Sequence, residues 1–174
     1  KNLKNTDLFI GFFGYELLNN LIDIKVPNQK NLSLQGLVKD KHNLSILLPK
    51  NFFLALDLQK TTWIRNETSK IGQGILVTNL DQKSNPLSTA KIYSIVDSII
   101  QTNIFGPLEN SYMALENRAE KSIDTIMLGG LPSIKIQSLW RMENDFMGGV
   151  FQLYYIPGKN NTLDKIIYTY VYAP

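Results

Sequence analysis

The chain contains no cysteine, so disulfides, thiol catalysis and thiolate metal ligation are excluded. It has a single histidine, His42, and a zinc shell would have to be built mostly from carboxylates, an uncommon arrangement. No Gly-x-Ser-x-Gly elbow is present to support a serine triad around that histidine. No apolar run approaches the roughly 18 residues that cross a membrane as a helix. The 18 Lys and Arg outweigh the 15 Asp and Glu by only +3 and lie scattered singly. Without a basic run there is no phosphate stripe, and no nucleic-acid partner is expected. Gly72-Gln73-Gly74, Gly129-Gly130 and Gly148-Gly149 lack the spacing of phosphate loops. They read as turns, bulges or close backbone approaches. No cofactor, metal or catalytic residue is expected from these patterns.

What is present is ordinary globular material. The 174 residues are 44% hydrophobic and 19% charged, enough for one domain whose core needs no staple. The sequence begins at Lys1 rather than Met, which suggests a mature or truncated product without a signal peptide.

Residues 1–40 give the weakest signals and are read as a separate N-terminal segment, with 41–174 as a single α+β domain. Within the first part, 7–10 suit a short strand, 15–22 have helix-compatible spacing, and 28–31 form a polar loop. From 43 onward the pattern sharpens. Apolar runs at 43–48, 51–58, 61–65 and 74–80 have short polar connections, which predicts a short antiparallel meander. Ile92, Ile95, Val96, Ile99 and Ile100 make one stripe of a helix over 89–102, with Ser88 as its N-cap. Residues 103–117 read as a loop centred on Gly106-Pro107. A longer antiparallel set follows, with hairpins turning at Gly129-Gly130-Leu131-Pro132 and at 157–162.

Three patches invite a functional reading. His42, among Lys39, Asp40 and Lys41, is expected to be solvent-exposed. Glu143 and Asp145, close to Trp140, are the best carboxylate pair for binding or cleaving a glycan. The alternative is a solvated turn, which is preferred; Glu143, Asn144 and Asp145 also lack calcium-loop spacing. Tyr168, Tyr170 and Tyr172 share one face of the last strand, with Tyr154 or Tyr155 on the strand beside it. They form either an exposed aromatic interaction surface or a face lying under a helix.

Several short elements recur in an order that resembles a lipoprotein family of Bacteroidota described only as domain of unknown function 4837. Leu48-Pro49-Lys50-Asn51-Phe52 resembles its "P-K-G-Y" element, and Trp63-Ile64-Arg65 with Glu67-Thr68 its "W-L-R-x-E-T". Gly74-Ile75-Leu76 resembles "G-I-L", and Asp97-Ser98 stands where the family has "R-D-S", with Val96 in place of Arg. Phe105-Gly106-Pro107 and Ser111-Tyr112-Met113 resemble "P-G-P…S-Y-M". Leu139-Trp140, Met147-Gly148-Gly149 and Phe151 resemble "G-L-W…M-G-G-P-F", with Ser138 and Val150 replacing Gly and Pro. Val171-Tyr172-Ala173-Pro174 resembles "F-V-Y-A-P". The resemblance covers about 43–174, and relatives carry a further N-terminal region and a C-terminal helix. It implies a lipid anchor outside this chain, attachment to the outer membrane and partners among other envelope proteins. It implies no reaction. It also raises O-glycosylation of Asp-Ser/Thr-apolar triplets, for which Asp124-Thr125-Ile126 is the better candidate and Asp97-Ser98-Ile99 the poorer. The order of elements is loosely Mog1/PsbP-like, helices covering a central antiparallel sheet. The leading expectation is a non-enzymatic accessory subunit of an outer-membrane complex. The alternative is a glycan-binding domain or hydrolase using Trp140, Glu143 and Asp145.

Overall fold

A computed structural model describes residues 7–8, 30–81, 87–159 and 162–172. In chain order the elements are β1 (Asp7–Leu8), α1 (Leu32–His42), β2 (Ser45–Ile46), β3 (Phe53–Asp57), β4 (Thr61–Glu67) and β5 (Gly72–Leu80). They continue with α2 (Thr89–Asn103), β6 (Tyr112–Leu115), β7 (Ser122–Leu128), β8 (Leu131–Glu143), β9 (Gly148–Ile156) and β10 (Asp164–Tyr172). Eight strands form one curled antiparallel sheet in the order β3-β4-β5-β10-β9-β8-β6. The long strand β8 is shared on its outer side: its first half pairs with β7 and its last four residues with β6. The α+β class and the β3-β4-β5 meander are as expected. β2 is not part of the meander: it pairs in parallel with β1, where an antiparallel neighbour was expected.

Both faces of the sheet are covered, each by one helix. On one face α2 lays Ile92, Val96 and Ile100 onto Leu76, Ile136, Phe151, Leu153, Ile166 and Tyr168. Burying one such aliphatic side chain contributes about 1.5–3 kcal/mol, which offsets the modest helix propensity of isoleucine. Ser88 caps α2 by accepting a hydrogen bond from the Lys91 amide. Leu87 is buried at the position of a hydrophobic staple.

On the other face α1 buries Leu34 and Val38 against Ile64, Ile75, Val77, Tyr154 and Ile167. This helix was not expected, and the domain boundary predicted at residue 41 falls inside it. Asn31 is its N-cap, accepting from the Leu34 amide, while its own Nδ2 donates to the Phe52 carbonyl at 2.9 Å. Asn43 closes the far end in the left-handed conformation, its amide bonded to the Lys39 carbonyl. The helix spacing seen at 15–22 lies outside the described residues.

Two further differences bear on function. The segment 103–117 is not all loop, because Tyr112–Leu115 pairs with the end of β8. Gly129 and Gly130 both have positive φ and form a two-residue turn between β7 and β8, tighter than the four residues expected.

Candidate functional site

At one end of the α2-covered face the helix stops short and leaves a cavity of about 380 Å³. The β4–β5 turn, the end of β10, the β8–β9 turn and the segment after α2 all meet there. Along β4, Trp63, Arg65 and Glu67 alternate with Ile64 and Asn66, so all three face the cavity side. Arg65 is ion-paired to Glu67, and its guanidinium stands 5.0 Å from the Trp63 ring and 6.0 Å from that of Phe53. The register places Gly74 between Arg65 and Tyr170. A Cβ on Gly74 would fall 2.1 Å from the Tyr170 ring, so the glycine is what lets that ring lie across β5.

Trp140 forms the opposite wall. Its ring packs edge-on against Tyr170 and Tyr172, at 5.6 and 6.3 Å, and its Nε1 donates to the Val171 carbonyl at 3.2 Å. To reach that carbonyl the indole crosses β9 over Gly149. A Cβ there would meet Val171 O at 2.1 Å and Trp140 Nε1 at 2.9 Å. The β8–β9 ladder is in regular register through Gly148 and Gly149, so the Gly-Gly pair is a close approach and not a bulge. Phe151 is fully buried beneath, tilted against Tyr168 at 5.3 Å.

The roof is the segment Phe105-Gly106-Pro107. It is tied down by Gly106 N to Ser111 O at 3.0 Å and Met113 N to Ile104 O at 2.9 Å. Met113, Met142 and Met147 complete an unbranched, polarisable lining. Asp97 ties α2 to β6, accepting a 2.8 Å bond from the Leu115 amide.

Two polar atoms in this lining have no hydrogen-bond partner among the described residues, Trp63 Nε1 and Arg65 Nε. Both are donors. The indole N–H acts on the Tyr170 hydroxyl as a donor, though the pair falls outside full hydrogen-bond geometry. Burial raises the Tyr170 pKa to about 12, against the downward pull of the Arg65 charge and the Trp63 N–H. It is therefore a neutral phenol at physiological pH. Phe105 of the roof is exposed, and so are Phe53, Ile71, Leu108 and Phe146, each next in register or sequence to a lining residue, Phe146 completely.

The tyrosine face is not a free surface. Tyr155 and Tyr168 are at most 1% exposed and Tyr170 is 7% exposed, because α2 and the cavity wall cover that side of β10. Only Tyr172 remains partly open, at the cavity edge. Burial raises the pKa of Tyr168 well above its ordinary value and that of Tyr155 to about 12. The phenol of Tyr155 donates to Asp164 at 2.6 Å.

Glu143 and Asp145 line one pocket of about 620 Å³ at the β8–β9 turn, but Trp140 is not part of it. Trp140 and Met142 point to the α2 side of β8, so Glu143 points to the other side, where it pairs with Arg141. Asp145 turns back on the Phe146 amide, 2.7 Å away. Thr125 is exposed on β7, opposite Ile134, and Ser98 is exposed on α2. His42 is 1% exposed, where solvent exposure was expected: its Nε2 lies 2.8 Å from Thr62 Oγ1 on the α1 face.

A further cavity, of about 460 Å³ beside the Gly129-Gly130 turn, gathers Lys39, Lys159 and Lys165 but none of the recurring motif residues. The first cavity gathers Trp63, Arg65, Gly106, Pro107, Met113, Trp140 and Met147 from three separate motifs. A family model described as "Domain of unknown function (DUF4837)" matches residues 31–174. The chain belongs to this family. No curated protein matches it. The family match opens at Asn31, the N-cap of α1, so it takes in the helix that precedes the recurring motifs. Of the remaining motif positions, Gly148, Gly149 and Phe151 support the Trp140 wall. Tyr112 begins the strand that carries Met113.

Proposed function

We propose that the protein is a non-enzymatic binding domain of the cell envelope, acting as an accessory subunit of an outer-membrane assembly through the cavity end of the sheet. One observation carries this reading. Motif residues spread over more than 80 positions converge on one cavity whose carboxylate, Glu67, is already committed to Arg65. An acid and a base poised on either side of a bond are not part of that arrangement. The exposed apolar residues beside the cavity lining support a role in contact with an apolar partner. The partners proposed are other envelope proteins. The membrane attachment proposed is a lipid anchor outside this chain, in a bacterium of the Bacteroidota. Helices on both sides of an antiparallel sheet favour the Mog1/PsbP-like comparison at the level of layout. Thr125, exposed on its strand, is the modification site proposed for an O-linked glycan. The glycan-binding alternative is the weaker reading, since Trp140 and Glu143 project from opposite sides of β8.

The test is position-specific photo-crosslinking in intact membranes. A photoreactive side chain at Phe105 or Phe146, on the cavity rim, is expected to give a discrete protein adduct. The same group at Ile123 or Met127, on β7, is expected to give none. Equal adducts at both sets, or none at the rim, would remove the reading.

A further inference from the structure

We infer that the cavity takes a long-chain acyl carboxylate, with its carboxylate on Arg65 and Trp63 and its chain among the methionines. This deepens the proposed binding role and rests on the cavity being a binding site. Three observations point to this ligand class.

The first is hydrogen-bond demand. Trp63 is 8% exposed and its Nε1 is unpartnered among the described residues, as is Arg65 Nε. A buried donor left without an acceptor is destabilising, more so beside a charge. The two atoms cannot satisfy one another, because both donate. The missing group is an acceptor, and a carboxylate offers up to four lone-pair sites with none to donate. A peptide or a sugar would bring N–H or O–H donors of its own. Of the lining acceptors, Gln73 Oε1 takes a bond from Asn66, Glu67 Oε1 pairs with Arg65 Nη2, and the Tyr170 hydroxyl is in reach of the indole N–H, which leaves Arg65 Nε as the donor without one.

The second is charge. Among the described residues Arg65 is the only cation lining the cavity, and Glu67 holds its Nη2. Glu67 is half-exposed, so it can swing into solvent at small cost. It therefore acts as an internal substitute for the ligand's anion.

The third is the wall. Met113, Met142 and Met147 are flexible and unbranched, suited to a chain with many conformers. About 380 Å³ lies within the range of small-molecule sites. Phe105, in the roof of the cavity, is exposed, which suits a ligand delivered from an apolar phase.

The chain's two tryptophans, Trp63 and Trp140, both line this cavity, so intrinsic fluorescence reads it directly. Titration of the whole protein with dibromostearate is expected to quench that fluorescence saturably. Its methyl ester is expected to bind at least about tenfold more weakly, because a charge-assisted hydrogen bond is lost. Arg65→Gln is expected to weaken the acid about ten- to a hundredfold. Glu67→Gln is expected to tighten it about two- to fivefold by removing the internal competitor. That gain cannot come from a variant that misfolds. An ester that binds as well as the acid, or a Glu67→Gln variant with unchanged affinity, would overturn the inference. Absence of quenching by any brominated chain, with rim-specific crosslinks intact, rejects the acyl ligand and leaves the binding role standing. Loss of both rejects the two together.

Discussion

The two faces of the sheet treat their polar groups differently. On the α1 face the open atoms are two acceptors that one proton would join. With its Nε2–H donated to Thr62, the neutral His42 ring leaves Nδ1 bare toward Asn79 Oδ1; both lack a partner, and a proton on Nδ1 would let it donate to Asn79. The rest of that cluster is closed, with His42 on Thr62, Thr62 Oγ1 donating to Asp57 at 3.2 Å, and Lys41 paired to Asp57. In the cavity on the α2 face the open atoms are two donors that no described residue satisfies. A polar network that can close on itself serves the fold. One that leaves donors of one kind in a cavity points to something from outside. The difference separates two kinds of buried polar group that composition cannot distinguish.

The largest test of this contrast falls on the cavity wall. Trp140→Ala removes a 2% exposed ring, two edge-on aromatic contacts and the bond to Val171. It is expected to cost about 3–5 kcal/mol in denaturant unfolding. A loss below about 1 kcal/mol would mean that the wall is not part of the core and the cavity is not preformed. Gly149→Ala comes next. Its methyl would meet a backbone carbonyl that cannot turn aside, so a loss toward the upper end of about 1–3 kcal/mol is expected. If the alanine variant unfolds like the native chain, the indole does not cross β9 as described.

Much of the α2 face was legible in the sequence. The isoleucine stripe marked α2 and its cap, and alternation in β10 put Tyr168 and Tyr170 on one side. What alternation cannot say is which side a helix covers, so the exposed-surface reading failed for Tyr155, Tyr168 and Tyr170. The strand β6 was hidden because four residues carry no period, and only pairing with Glu143 to Trp140 defines it. The α1 face was less legible for a different reason. Leu34, Val38 and His42 recur at four-residue intervals, but Gly36 and the run 39–41 break the visible pattern. On a helix, Lys39, Asp40 and Lys41 project away from the line of His42, so charged neighbours in sequence are not its neighbours in space. The cavity itself was legible only as scattered motifs, because its walls come from strands joined through the whole sheet.

The smallest and most selective test lies on the α1 face. Burial is the main reason the His42 pKa falls below its ordinary 6.5, with Lys41 and Lys165 pushing the same way and Asn79 and Asp57 opposing. The unfolded chain therefore takes up a proton on this residue before the folded one does. Stability from the neutral ring is complete above pH 6.5 and is lost as the pH falls toward the lowered folded value, with a slope of at most about 1.4 kcal/mol per pH unit. Urea unfolding at pH values of about 7.5, 6.5 and 5.5, which bracket the ordinary histidine pKa, is expected to show the native chain losing stability faster than His42→Gln on the acid side. Measuring above about pH 5 keeps Asp57 out of the comparison, because the hydrogen bond from Lys41 holds its carboxyl below the usual range. Parallel curves for the two proteins would mean that the His42–Thr62–Asp57 cluster holds the ring equally well charged or neutral. The α1 face would then have acceptors ready for both ring nitrogens, and its contrast with the donor-only cavity would become sharper.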